Sequence, residues 1–119
     1  MVVDLANELI LWERPLGTIR DLAPAMVPNY EWGAPGLGGP LLTASGLIVI
    51  GAATEHILRI FDVNTSEEIW SYDLPTAAMA TPMSYEWEGE QYIAVAVGGH
   101  DNLEMPRGDY IYAFKLKLN

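Results

Sequence analysis

The sequence predicts an all-β fold, as part of a β-propeller of antiparallel sheets. A spaced repeat is the first indication, because Asp4 precedes Trp12 by eight residues and Asp62 precedes Trp70 by the same interval. Each copy is a polar turn followed by a short apolar strand that ends on tryptophan. The polar side chain can bond backbone N–H groups of the turn, and the indole is a large flat anchor between sheets. Short strands at regular turn spacing, without helical periodicity, are the second indication.

The composition is that of one acidic globular chain. Its 119 residues are enough for one core, and half of them are hydrophobic, which excludes a disordered tail. Sixteen acidic and six basic side chains give a formal net charge of -10. This balance argues against nucleic acid and anionic membrane surfaces as partners, and it favours a simple role in solubility. Because the chain has no cysteine, disulfides, Cys-ligated zinc and a thiol nucleophile are excluded.

No targeting signal is expected in the chain as written. Residues 1–5 have neither a basic region nor a long apolar stretch, so they do not form a signal peptide. The apolar run at 47–53 has the length of a strand, and no run is long enough to span a bilayer. As written, the chain is therefore expected to stay in the cytoplasm.

Turn residues divide the chain into three parts. Residues 1–39 comprise a strand and a loop rich in proline and glycine, residues 40–73 a complete four-stranded blade, and residues 74–119 a final blade of three strands. The continuous apolar strand at 47–52 is expected to be buried on both faces. A hairpin turn is expected at 88–90. The predicted strands are 8–13, 40–44, 47–52, 57–62, 68–72, 81–87, 91–97 and 110–116.

These strands are too few for a closed ring. A propeller usually has roughly four to eight blades, whereas this chain supplies about two. The last predicted sheet lacks a fourth strand, and the strand at 8–13 lacks the three strands that should precede it. The chain is therefore interpreted as a slice of a propeller with open sheet edges.

Nearly the whole chain resembles the C-terminal end of membrane-bound glucose dehydrogenases that depend on pyrroloquinoline quinone (PQQ). The matching segments occur in order and with separations typical of that family, which makes the resemblance specific. Gly98-Gly99-His100 alone would be a weak signal. The matching segments are 38–47, 52–54 with 58–59, 80–86, 89–92, 98–100 and 108–113.

The resemblance implies an eight-bladed propeller whose blades carry a tryptophan-docking motif, Ala-x-Asp-x-x-Thr-Gly-Lys-x-x-Trp. The second repeat keeps this motif at Asp62, Thr65 and Trp70, and the first keeps it at Asp4 and Trp12. These five residues are therefore expected to be structural docking positions. Where the motif is incomplete, looser packing between blades is expected. The second repeat departs from the motif at Ile60, Ser66 and Glu67.

The resemblance also implies cofactors and a reaction. Family members bind PQQ and calcium in the central funnel, oxidise an aldose at C1 in the periplasm and pass electrons to ubiquinone. Their catalytic acid/base, main calcium ligands and most quinone contacts lie in earlier blades, so this chain is expected to carry no catalytic and no metal-binding residue. Because catalysis needs the whole constellation, the isolated chain is expected to hold neither cofactor tightly and to be inactive.

Two residues are candidates for substrate binding on the basis of the resemblance. His100 follows Gly98-Gly99, where the family has a histidine near the substrate mouth, and an imidazole there can bond a sugar hydroxyl. Glu55 stands where family members tend to have aspartate, and its carboxylate can accept a hydrogen bond from a sugar. The alternatives are a loop histidine without a role and a solvated loop acid.

Three residues are candidates for cofactor binding. Leu37 precedes Gly38-Gly39 at the position where the related alcohol dehydrogenases have a tryptophan that contacts the quinone, and an aliphatic residue is typical of the sugar-oxidising members. Gly38 and Gly39 would let the backbone approach a planar cofactor. The alternatives are core packing for Leu37 and an ordinary turn for the two glycines.

Two functions remain open. In the first, the chain is a C-terminal portion of a periplasmic glucose dehydrogenase, with the remaining blades as its partners and with aldose and ubiquinone as the parent's substrates. In the second, it is a stand-alone binding module without catalysis that closes its sheet edges by self-association. The strand at 8–13 would then complete the last sheet, within the chain or by exchange between chains, and four chains would form an eight-bladed ring.

Overall fold

The computed structural model describes residues 1–16, 38–51, 55–99 and 107–117. Within these ranges the chain is all-β, as predicted, and no helix is present that could cross a membrane. The strands form three antiparallel sheets of two, four and three strands, which we number in chain order. The strands are β1 (Val2–Asp4), β2 (Leu9–Trp12), β3 (Leu41–Leu42), β4 (Leu47–Gly51), β5 (Ile57–Asp62), β6 (Glu68–Asp73), β7 (Met83–Trp87), β8 (Glu90–Val97) and β9 (Tyr110–Lys115).

The first sheet pairs β1 with β2, and a bulge between Val2 and Val3 places Val2 opposite Trp12. β1 is missing from the predicted strands because three residues are too few to show a period of two. The pairing also corrects the hypothesis that the strand at 8–13 completes the last sheet within the chain, because β2 lies beside β1 instead.

The second sheet is a meander in which β3, β4, β5 and β6 lie side by side in chain order. Alternation along β4 directs Val49 toward the third sheet and Ile48 toward the first. Val49 is fully buried, whereas Ile48 is only half-buried. The predicted burial of this strand on both faces is therefore correct for one face and only partial for the other.

The third sheet contains β7, β8 and β9, and its first hairpin is tight. Trp87 pairs with Glu90, so only Glu88 and Gly89 lie in the turn, with φ of 50° and 76°. Positive φ at both central residues is the geometry that matches the twist of the flanking strands. The hairpin predicted at 88–90 is thus confirmed, with Glu90 already in β8.

The core lies between the second and third sheets. Val49 and Leu58 of the second sheet are fully buried in one cluster with Ile93 and Val97 of the third. Complete burial of such a side chain contributes about 1.5–3 kcal/mol. Phe61, on the opposite face of the second sheet, lines a smaller cavity together with residues of the first sheet. The second sheet is therefore packed between the other two.

Candidate functional site

Two of the five predicted binding residues, Leu37 and His100, lie outside the described residues. Their roles in cofactor and substrate binding stay predictions, as does any site shared by His100 and Glu55. The other three are described. Gly38 and Gly39 lie at the entry to β3, and Glu55 lies two residues before β5.

Gly38 and Gly39 pack against the connection between the second and third sheets. A Cβ atom on Gly38 would lie 2.4 Å from the carbonyl oxygen of Met79, closer than real Cβ atoms approach. The amide of Gly39 donates a 3.0 Å hydrogen bond to Oγ1 of Thr81. Contact within the chain therefore accounts for the glycine at position 38. Approach of either glycine to a cofactor stays a prediction.

Glu55 is a buried carboxylate with a charged partner. It is 1% exposed, and its Oε1 accepts a hydrogen bond from Nη1 of Arg59, which is 8% exposed. The Nε atom of Arg59 also lies 3.6 Å from Oε1 of Glu68 on β6. The alternative of a solvated loop acid is therefore wrong. A buried carboxylate requires a partner of opposite charge, which Arg59 supplies. Whether Glu55 also binds substrate stays a prediction.

Within the described ranges, the space beside Gly38 and the charge of Arg59 are occupied by other parts of the chain. No group of three or more His, Asp or Glu residues in the described ranges is arranged to hold a metal. The backbone of Met79 and Ala80 already fills the space beside Gly38. The guanidinium of Arg59 is committed to Glu55. We therefore assign no step of quinone chemistry to these residues.

The polar turns of the two repeats have the same hydrogen bonds. Oδ1 of Asp4 accepts bonds from the amides two and three residues ahead, at 2.9 and 3.2 Å, and Oδ1 of Asp62 accepts the equivalent bonds at 2.8 and 2.9 Å. A side-chain bond from Asn7 is the main cause that lowers the pKa of Asp4. The backbone amide of Thr65 does the same to the pKa of Asp62. Each carboxylate thus stabilises its turn in the ionised form.

Each polar turn also contains one residue in the left-handed region, four positions after the aspartate. The φ angle is 55° at Glu8 and 62° at Ser66. The docking motif has glycine at the position of Ser66, and glycine adopts this conformation without a steric penalty. The departure from the motif at Ser66 therefore leaves the shape of the turn intact at some cost in strain.

The first repeat contacts the turn of the second through two side-chain donors. The indole Nε1 of Trp12 donates a 2.6 Å hydrogen bond to the carbonyl of Val63, and Nη1 of Arg14 donates one of 2.6 Å to the carbonyl of Ser66. The guanidinium of Arg14 also lies 4.9 Å from the ring centroid of Phe61, in a cation–π arrangement. The first and second sheets are therefore joined at this turn.

The second repeat contacts the third sheet through aromatic rings. The centroid of Trp70 lies 5.2 Å from that of Phe114, edge to face, and Tyr72 makes a second contact of 5.2 Å with the same ring. Trp70 pairs with Ile60 beside a bulge, as Trp12 pairs with Val2 beside a bulge. The two tryptophans thus hold equivalent positions in their sheets.

A cavity of about 540 Å³ opens between the second and third sheets beside Trp70. It contains no carboxylate or imidazole, so it offers apolar contact and none of the predicted polar chemistry. Its lining residues are Leu47, Val49, Leu58, Ile60, Ile69, Trp70, Ile93, Phe114, Lys115, Leu116 and Lys117.

Arg14 and Thr81 are missing from the residues singled out by sequence. A signal existed for Arg14, which is one of only six basic residues and follows the repeated tryptophan by two positions. Thr81 lies in a matching segment, but no pattern in the sequence shows that its hydroxyl meets the amide of Gly39. That contact depends on the long-range path of the chain.

Comparison with known proteins identifies relatives along the whole chain. Residues 1–93 match the family described as PQQ: Glucose/ethanol/alcohol dehydrogenase, beta-propeller domain. The chain is 39% identical over 119 residues to quinoprotein glucose dehydrogenase A of Acinetobacter calcoaceticus, with 98% of this chain and 15% of that protein covered. It is 41% identical over 113 residues to the glycerol dehydrogenase large subunit of Gluconobacter thailandicus, with 92% and 15% covered.

A solved structure is similar in fold as well as in sequence. Quinohemoprotein alcohol dehydrogenase from Comamonas testosteroni matches with a TM-score of 0.51 and 33% identity, over 56% of this chain and 10% of that one. Together with the family match, this confirms the predicted β-propeller fold. The chain spans about 15% of the length of the two relatives above.

Proposed function

The chain belongs to the β-propeller family of PQQ-dependent glucose, ethanol and alcohol dehydrogenases, and we propose that it supplies part of the propeller of such an enzyme and is inactive alone. One observation carries this proposal. A relative at 39% identity covers 98% of this chain, yet the match is only 15% of that relative. In this proposal, other segments of the parent enzyme therefore supply most of its propeller.

The contacts between the sheets support this role. Trp12 and Arg14 join the first sheet to the second, and Trp70 joins the second to the third. Such contacts stack sheets in sequence, as blades follow one another around a ring. In this proposal the residues of the chain position neighbouring blades and loop ends. The catalytic residues, the main calcium ligands and most of the PQQ contacts belong to the rest of the parent enzyme.

We further propose that the parent oxidises an aldose in the periplasm and passes the electrons to ubiquinone. The relatives act, by name, on both glucose and glycerol, at 39% and 41% identity. Leu37 stands where the related alcohol dehydrogenases have tryptophan, and this aliphatic residue supports an aldose as the substrate. Substrate preference is tested in a chimaera in which this chain replaces the matching segment of the Acinetobacter glucose dehydrogenase. Retained preference for glucose over glycerol is expected, and a reversed preference would overturn the aldose proposal.

The inactivity of the isolated chain is tested directly. Purified chain is mixed with PQQ, calcium, glucose and an electron-accepting dye, and dye reduction is recorded beside a complete relative as the positive control. No reduction above the rate of free PQQ is expected, because the chain holds only part of the constellation that catalysis needs. Robust PQQ-dependent reduction by the chain would refute this part of the proposal.

Self-association is a second candidate function, and exposed apolar side chains on the outer faces favour it. Ile10 is 62% exposed on the first sheet, while Trp87 and Ile111 are 60% and 81% exposed on the third. Surfaces of this kind commonly mark interaction sites. Light scattering on a sizing column is the test. A discrete tetramer would support a ring of four chains, and a monomer would leave the remaining blades of the parent as the partners.

A further inference from the structure

Residues 74–82 form the whole connection between β6 and β7, and we call this segment the strap. Unlike most connections, the strap lies largely in the interior, although Pro75, Ala80 and Thr81 are exposed. Its buried side chains are Leu74, Thr76, Ala77, Ala78 and Pro82. A buried connection is unusual because its backbone N–H and C=O groups require partners within the protein. The partners of the strap therefore show which parts of the chain it holds in place.

The strap lies in direct backbone contact with two segments of the second sheet. A Cβ atom on Gly51, at the end of β4, would lie 2.3 Å from the carbonyl oxygen of Ala78. A Cβ atom on Gly38 would lie 2.4 Å from the carbonyl oxygen of Met79. Any side chain at either position would displace the strap, so both glycines serve its close approach.

The strap also bonds two loop ends that are far apart in sequence. Oγ1 of Thr81 accepts the 3.0 Å hydrogen bond from the amide of Gly39. The carbonyl of Ala77 accepts a 3.1 Å hydrogen bond from the amide of Gly99. In sequence, Gly39 follows the candidate Leu37 by two positions, and Gly99 directly precedes the candidate His100. One largely buried segment therefore connects both loop ends.

We propose that the strap fixes the loop ends at Gly39 and Gly99 relative to each other, with Thr81 as the positioning residue at the first end and Ala77 at the second. Close packing makes this coupling possible, because the strap is buried at Ala77 and again at Pro82, so the exposed Thr81 between them cannot shift alone. The relevance to binding rests on the proposed function. The coupling itself is a property of the chain and is measurable without cofactor or substrate.

The test is amide hydrogen exchange, followed by NMR on the full 119-residue chain. Thr81→Val removes the acceptor of the Gly39 amide, and Thr81 is exposed, so the fold is expected to survive. We expect exchange at Gly39 to accelerate roughly tenfold and exchange at Gly99 roughly threefold. Thr81→Ser keeps the hydroxyl and is expected to restore both rates.

Thr43→Val is the matched control. Oγ1 of Thr43 accepts a 3.0 Å hydrogen bond from the amide of Leu47, in the turn between β3 and β4 of the second sheet. Thr43→Val is expected to accelerate amide exchange at Leu47 and to leave the exchange rates of Gly39 and Gly99 unchanged. If Thr81→Val does not fold, Thr81→Ala removes the same hydroxyl and replaces it in the test.

Two results would overturn the proposal. Unchanged exchange at Gly39 would show that Thr81 does not position it. Faster exchange at Gly39 with an unchanged rate at Gly99 would show that the loop ends are independent. Neither readout involves PQQ or catalysis. The coupling result is therefore valid even if the proposed function is wrong, and independent exchange at the two loop ends would not refute the proposed function.

Discussion

The indole Nε1 of Trp12 donates a 2.6 Å hydrogen bond to the backbone carbonyl of Val63, so the end of the first repeat is fixed to the turn of the second. Asp62 shapes that turn by accepting two backbone amide bonds. The repeat therefore has two connected roles. Its aspartate builds a turn, and the tryptophan of the preceding repeat binds to it. Contact between sheets depends on both residues.

Trp12→Phe tests the contribution of this hydrogen bond. The substitution keeps an aromatic ring but removes the N–H donor, and it leaves the carbonyl of Val63 without this partner. We expect the free energy of unfolding to fall by about 1 kcal/mol, as measured by denaturant titration. Trp87→Phe is the matched control, because Trp87 is 60% exposed. Equal effects of the two substitutions would show that the bond contributes nothing to stability.

Ser66→Gly is expected to stabilise the chain. Ser66 has a φ of 62°, where a side chain is strained and glycine is not. Part of the gain is offset by the greater freedom of glycine in the unfolded state, so the expected net increase is about 0.5–1 kcal/mol. Ser71→Gly, within β6, is the control and is expected to destabilise by a similar amount. A loss of stability with Ser66→Gly would contradict the claim that the backbone at Ser66 is strained.

Acid is expected to weaken the second polar turn. Hydrogen bonds from the amide of Thr65 and its neighbour hold the pKa of Asp62 below its ordinary value of 3.8. Because this pKa is lowered in the folded state, the stabilisation is complete above 3.8 and is lost as the pH falls through the folded value. Thermal unfolding of the wild type and of Asp62→Asn checks this. The wild type is expected to lose more stability than the variant between about pH 6 and pH 2.5. An equal loss of stability in the wild type and the variant would exclude Asp62 as a source of the pH dependence.

Glu55→Gln is expected to be strongly destabilising. The substitution removes the carboxylate that accepts a hydrogen bond from the buried guanidinium of Arg59. Removal of one partner from a buried ion pair costs up to about 3–5 kcal/mol, and Glu68, 3.6 Å from Nε of Arg59, offsets part of that cost here. Denaturant titration measures the loss. Glu67→Gln, at an exposed position in the neighbouring turn, is the control and is expected to change stability by less than about 0.5 kcal/mol.

A double substitution distinguishes a buried ion pair from simple packing at Glu55. If the penalty of Glu55→Gln arises from the charge on Arg59, replacing Arg59 by Met in the same chain will recover part of the lost stability. Additive losses in the double variant would contradict that origin. The outcome also matters for binding, because a carboxylate committed to Arg59 has less capacity to bond a sugar.

The strands were predictable because their signals are local. The strands β5 and β9 and the turn at Glu88 depend on residues close in sequence, and the structure has them where they are predicted. β1 was missed because it is too short to show a pattern. The repeated spacing of Asp4 and Trp12 indicated a repeated unit, and the bonds of both turns follow from that unit.

The docking role of Trp12 and Trp70 was predictable from the repeat, but the surroundings of Glu55 and Gly38 were not. Burial of Glu55 depends on its pairing with Arg59, and a charged residue in a loop ordinarily indicates exposure. The sequence leaves cofactor approach and an ordinary turn open for the glycine at position 38, whereas the path of the strap gives it a reason within the chain. For Gly38 the missing information was the position of a segment distant in sequence, whereas Arg59 lies only four residues after Glu55.

A chimaeric enzyme tests the central claim most directly. This chain replaces the matching 15% of the Acinetobacter quinoprotein glucose dehydrogenase, and PQQ-dependent dye reduction with glucose is measured beside the same enzyme lacking that segment. If the chain supplies part of the propeller, the chimaera will be active and the deleted enzyme inactive. A chimaera that folds and binds PQQ but does not oxidise glucose would contradict the account.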